Sequence, residues 1–322
     1  MVCFFSIYFL ADTFIPCPEN LLVQLSRNVE NVERFLTDIL PNLPQESMTD
    51  SGSAFGSALS IAYKLLSSLG GRITVFQAAL PNMGGNDGSV LNNREDPNNR
   101  TVQARSTQAL TPLLNPVTDF YKKLALECSE HHVAVDIFNL CPTYSDIASV
   151  GQVSKISGGS IFYYGNSGFN MRCSPERVLA RFESDLEHYL CRDIGFEAVM
   201  RMRCTRGLSI HTFHGNFFVR STDLLALPNC NPDSGYAIQI SIDEELKDFS
   251  NACFQAAVLY TNANGERRIR VHTISLPVVA TINEIVTNAD QEAIVGLLVK
   301  MGKLGFLKSV IKLLGFINFF IF

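Results

Sequence analysis

Apolar residues repeat along this chain with two different periods, and the change falls near Gly195. Upstream, strand-like and helix-like segments alternate. Leu21–Leu25 is a short apolar run of strand type, and Ser26 is placed to cap a helix. Val29, Val32, Leu36 and Ile39 follow at spacings of three and four, and Pro41 stops them. A second helix is predicted from Thr49 or Ser51. Phe55, Leu59, Ala62 and Leu66 line one side of it, and Gly70 and Gly71 close it. Arg72–Phe76 alternates like a strand. Residues 78–114, with Pro81, Gly84, Gly85, Gly88, Pro97 and many Asn, predict a long, polar, mobile loop. Helix returns over about 117–130 with Thr118 as its cap. Val133–Leu140 is an apolar strand of the parallel-sheet type. A short helix at Ser145–Val153, a strand at Ser160–Tyr164 and a helix over 175–191 complete this part. Val178, Leu179, Phe182, Leu186 and Leu190 form the apolar side of that last helix. Alternation of this kind over residues 21–192 predicts a mostly parallel sheet with helices on both faces.

After Gly195 the period shortens to two. Ala198–Arg203, Ser209–Phe213, Tyr236–Ile242, Phe254–Tyr260 and Arg268–Ile274 read as strands, and Asn264-Gly265 marks a hairpin. The result is an all-β sandwich of roughly 85 residues. Beyond Pro277 a helical pattern covers Ile282–Met301. From Ala293 to Phe322 there is no acid, and Lys300, Lys303, Lys308 and Lys312 are set among Leu, Phe, Ile and Val. Two readings of residues 302–322 stay open: an amphipathic helix lying on a membrane surface, or a divergent end belonging to no domain. Residues 1–11 are apolar, lack a basic leader and are too short to span a bilayer. They predict a buried strand, or else a start outside any domain.

Composition narrows the function classes. The 322 residues are 47% hydrophobic and 18% charged, with net charge -5 and pI about 5.7, which argues against a dedicated nucleic-acid binder. The nine cysteines are odd in number, scattered, and free of any CxxC pair. They read as reduced thiols and not as a disulfide framework or zinc site. There is no Walker A, GxGxxG, HExxH or GxSxG sequence. The glycine-rich Ser51–Ser57 has no phosphate-binding lysine. His131 and His132 are adjacent, and His211 and His214 lie three apart, so on strands each pair would face opposite sides. Asn99–Thr101 is a formal glycosylation signal, read as chance. The chemistry that remains is basic. Arg201 and Arg203 alternate on one strand and so face the same side, and Arg267, Arg268 and Arg270 gather near the start of another. Arginines that share a face suit an acidic peptide signal, or else form a solvated face with local ion pairs.

Gly195–Leu225, which contains Ala198-Val-Met-Arg-Met-Arg203, resembles the β-sandwich of the SEC-twenty-four family, the cargo-adaptor subunits of the COPII vesicle coat. Arg94-Glu-Asp-Pro-Asn-Asn-Arg100, Asp119–Leu126 and Gly265–Thr273 carry the likeness further, and it is nearest to the A/B-type paralogues. The resemblance implies an incomplete von Willebrand A-like trunk at 12–192, a β-sandwich at 193–279 and the start of a helical domain at 280–301. It implies a non-enzymatic subunit, cytoplasmic and peripheral on endoplasmic reticulum exit sites and vesicles. Expected partners are the SEC-twenty-three subunit, the Sar-one GTPase, the cytosolic tails of cargo membrane proteins and SNAREs, and the membrane surface. The family's cargo site maps onto Arg201 and Arg203 for an acidic signal, with Leu259 as its apolar contact. The similarity starts after the family's zinc finger and first trunk strand and stops at Met301. The chain is therefore expected to hold no zinc or other cofactor and to be a partial copy with reduced activity. A metal-dependent adhesion module is the rival reading, but its Asp-x-Ser-x-Ser loop is missing.

Overall fold

A computed structural model describes residues 15, 21–39, 41, 52–85, 87–95, 115–165, 175–246, 248–301 and 319–321. Expectations for 1–11, for a helix start at 49–51, for the Asn99 signal and for residues 302–318 lie outside them. The first half is built on three parallel strands, β1 (Gly71–Gln77), β2 (Val133–Asn139) and β3 (Ile161–Tyr163), in that order. Gly71 lies beside Val133, and Ile137 beside Ile161. All seven residues of β2 are buried, so neither face of the strand meets water. Val133, Val135 and Ile137 point to one face, against Phe55 and Leu59, Tyr121 and Leu124, and Val150 and Val153. These come from α2 (Phe55–Leu66), α3 (Phe120–Glu130) and α4 (Ile147–Ser157). Phe138 points the other way. It joins Tyr164, with Val178, Phe182, Leu186 and Tyr189 of α5 (Pro175–Cys191). Helices therefore cover both faces, as the alternation predicts.

Three local expectations are corrected. Leu21–Leu25 forms no strand: these residues are exposed and run into a 3-10 turn at Leu25–Arg27, before α1 (Val29–Arg34) continues as a π turn to Ile39. A strand needs a neighbour to share its ladder bonds, and no described strand lies beside this one. Thr118 is not a cap: its hydroxyl is buried without a partner, and the α3 cap position is Asp119. The described part of the long loop is fastened down. Leu91 is buried, the Tyr121 hydroxyl donates to the Ser89 carbonyl at 2.6 Å, and Arg94 pairs with Asp146. Asp146 also caps α4 by accepting from Ser149 N.

The second half pairs antiparallel strands in two sheets. One has the order β10 (Arg267–Pro277), β9 (Asn251–Asn262), β4 (Gly195–Cys204), β7 (Leu224–Cys230), β6 (Phe218–Ser221). The other pairs β5 (Leu208–His214) with β8 (Ala237–Ile242), and β11 (Phe319–Ile321) borders β8. Met202, Phe254 and Ala256 meet Ile238 and Ile240 between the sheets. Strands β6 and β7 escape the sequence reading because Pro228 and Asn229 interrupt the second of them. Pro228 is tolerated because β6 ends at the Phe218–Ala226 pairing and demands no hydrogen bond there. The helical pattern at 282–301 is broken in two. α6 (Ile282–Asn288) stops at Ala289, which is extended, and Asp290 Oδ1 accepts from Ala293 N at 3.1 Å to start α7 (Gln291–Met301). No described helix is long and apolar enough to cross a membrane.

Candidate functional site

Alternation along β4 sorts its side chains cleanly. Met200 and Met202 are buried under the sheet, so Val199, Arg201 and Arg203 share the outer face. Register carries this face onto the neighbouring strands. Val199 lies beside Leu259, which lies beside Ile269. Arg201 lies beside Ala257 and then Val271, and Arg203 beside Gln255 and then Thr273. Residues directly opposite one another project the same way, so three rows of three side chains form one open patch. The β10 members are notably bare, Ile269 at 67% and Val271 at 55% exposure. Successive rows are about 6.7 Å apart, twice the rise per residue of a strand. An extended peptide with an acidic and an apolar side chain two or four positions apart matches one or two rows of that spacing.

The two arginines differ in their surroundings. Arg201 Nε donates to Asp223 Oδ2 at 2.7 Å. Asp223 sits in the turn joining β6 to β7, where its carbonyl accepts from Met202 N at 3.1 Å and its Oδ1 from the Ser221 hydroxyl at 3.2 Å. The Arg201 hydrogen bond holds the Asp223 carboxyl below the usual range. Arg203 is exposed and has no hydrogen bond or ion pair among the described residues.

The other arginines separate. Arg267 shares the outer face but is tied to Thr261 Oγ1 at 2.8 Å and to the Glu197 carbonyl at 3.2 Å. Arg268 and Arg270 turn to the opposite face, the first paired with Glu266 and the second donating to the Tyr260 hydroxyl at 3.2 Å. The structure thus brings Arg201, Arg203 and Leu259 together and leaves Arg268 and Arg270 out. The sequence reading missed Asp223, Ile269 and Val271. The last two were legible from the alternation of β10. Asp223 was signalled only by the turn-forming Ser221-Thr-Asp223 before an apolar run.

Neither histidine pair behaves as a strand pair should. His131 and His132 lie in the turn before β2. In β5 a bulge between Ile210 and Thr212 keeps both Ile210 and Phe213 on the core, which brings His211 and His214 to the same side. Among the described residues no group of His, Cys, Asp or Glu is placed to hold a metal. Burial pushes the Cys128 thiol up to about 12, far from a reactive thiolate.

Comparisons with known proteins cover most of the chain. A family profile described as the Sec23/Sec24 trunk domain matches residues 6–190, and one described as the Sec23/Sec24 beta-sandwich domain matches residues 195–279. The chain is 53% identical over 294 residues to protein transport protein Sec24A of Bos taurus, covering 91% of this chain and 25% of the relative. It is 50% identical over 290 residues to Sec24B of Homo sapiens, covering 90% and 22%. The human COPII-coat protein Sec24c superposes with a TM-score of 0.79 at 25% identity, over 92% of this chain and 38% of that one. The chain spans about a quarter of the length of the curated relatives it matches.

Proposed function

The chain belongs to the Sec23/Sec24 family, and we propose that it selects cargo for a COPII coat by binding export signals on the outer face of its five-stranded sheet. Its limits are a trunk at 12–192, a sandwich at 193–279 and the start of a helical domain at 280–301. One observation carries the reading: Arg201, Arg203 and Leu259 converge on one open face beside exposed Ile269 and Val271. The mechanism is binding, without a chemical step. Guanidinium groups hold an acidic side chain through charge-assisted hydrogen bonds, and the Leu259 row reads an apolar neighbour. Sec24-named relatives act in protein transport, and a solved structural relative is a coat protein. In that setting the partners are a Sec23 subunit, the Sar-one GTPase and cytosolic tails of membrane cargo and SNAREs, at endoplasmic reticulum exit sites.

The test is fluorescence anisotropy of the full chain with a labelled peptide carrying one Glu and one Leu in an extended stretch. Arg201→Ala/Arg203→Ala is expected to weaken binding at least about tenfold, the worth of losing charge-assisted hydrogen bonds. Replacing the peptide Glu by Gln has a similar effect. Equal binding by the double variant, with cooperative melts for both proteins, overturns the reading.

A further inference from the structure

The two arginines of the candidate site are chemically unequal, and the inequality has a built-in source. Asp223 is fixed at three points, by Met202 N on its carbonyl, by the Ser221 hydroxyl on Oδ1 and by Arg201 Nε on Oδ2. Two of those anchors do not depend on Arg201, so the carboxylate stays at the site whichever way the guanidinium turns. Only Nε of Arg201 is engaged, and its terminal nitrogens have no acceptor among the described residues. Arg203, one row further along the same face, forms no ion pair with a carboxylate among the described residues.

We propose that Asp223 is an internal competitor for the acidic side chain of the ligand, occupying Arg201 so that Arg203 is the cation that recognises the ligand's acid. This inference rests on the proposed reading of the patch as a site for acidic and apolar signals. Its physical basis is simple. A second carboxylate approaching Arg201 meets a guanidinium already neutralised and a like charge beside it. At Arg203 the attraction is unopposed. Asp223 therefore lowers affinity for acidic ligands and moves the point of recognition by one row, toward Gln255 and Thr273. A ligand acid sits opposite Arg203 and its apolar side chain over Leu259 and Ile269, two rows away.

The experiment titrates the full chain and four variants with the same labelled Glu-and-Leu peptide and with its Gln counterpart. Asp223→Asn keeps the shape and an acceptor for Ser221. It is expected to bind the acidic peptide about three- to fivefold tighter, the size of one exposed charge pair, and the Gln peptide unchanged. Asp223→Ser gives the same gain without the amide. Arg201→Ala costs no more than about twofold, whereas Arg203→Ala costs about tenfold. Unchanged or weaker acidic-peptide binding by both Asp223 variants, with Arg203→Ala still defective, overturns the competitor and leaves the site reading standing. A larger loss from Arg201→Ala than from Arg203→Ala overturns it as well. If Arg203→Ala binds as well as the unaltered chain, or the unaltered chain itself does not bind the acidic peptide, the site reading falls and the competitor with it. Circular-dichroism melts accompany each sample, so a lost fold is told apart from a lost contact.

Discussion

At the scale of single residues, polar groups on the strands and loops of the trunk do most of the specifying. Asp136 lies within a wholly buried strand, and both its oxygens are occupied. Ser160 N donates to Oδ1 at 2.7 Å and the Tyr189 hydroxyl to Oδ2 at 2.9 Å. Burial raises its pKa, against the pull of those hydrogen bonds. The Asp146 carboxylate is 1% exposed and is met by Arg94 and by Ser149 N and Oγ. Removing the guanidinium leaves a buried charge without its counterion, so Arg94→Ala is expected to cost about 2–4 kcal/mol in denaturant unfolding. An unchanged midpoint would show that water reaches Asp146 freely. Neither role was legible in the sequence, because a lone Asp in an apolar run does not reveal which distant donor will find it.

At the scale of elements, local pattern was a good guide wherever one period ran unbroken. The 17 residues of α5 follow the predicted range of 175–191, and β2 follows Val133–Leu140 to within a residue. It failed where tertiary context chose the conformation. Leu21–Leu25 has strand composition but no described strand beside it, and α6 and α7 split at an extended Ala289 in one continuous helical pattern. The connection from α4 to β3 depends on two adjacent glycines. Gly158 has φ +78 and ends the helix, and Gly159 lies so close to β2 that a Cβ there would collide with the Val135 carbonyl. A backbone oxygen inside a parallel sheet cannot step aside, so Gly159→Ala is expected to lose more than about 3 kcal/mol, beyond the range of ordinary overpacking. A cooperative melt at the original temperature would contradict it.

At the scale of the whole molecule, the trunk and the sandwich are joined by a polar seam. Asn229 Nδ2 donates to the Gly71 carbonyl at 3.2 Å, Asn216 Nδ2 to the Gly159 carbonyl at 3.1 Å, and Arg192 pairs with Asp233 at 2.8 Å beside His188. Hydrogen bonds from Arg192 and then His188 hold the Asp233 carboxyl below the ordinary range. A carboxyl depressed in the folded state stabilises it above the ordinary pKa, and that contribution disappears as pH falls through the depressed value. The Tm difference between the unaltered chain and Asp233→Asn should then hold steady above about pH 5 and close below about pH 4. A gap that widens in acid would mean that the seam is not built on this charge.

The sequence by itself determined the strands and helices whose period runs unbroken, that a parallel layered unit precedes an antiparallel one, and that Arg201 and Arg203 share a face. All of these follow from periods of 3.6 and 2 acting over neighbouring residues. Register and closure were decided only by the tertiary structure. Leu259 and Ile269 came to lie in a row with Val199, and the turn at Ser221–Asp223 came to rest against Arg201. Pairing between strands depends on side chains far apart in the chain filling one core, and no local period records which of them will meet.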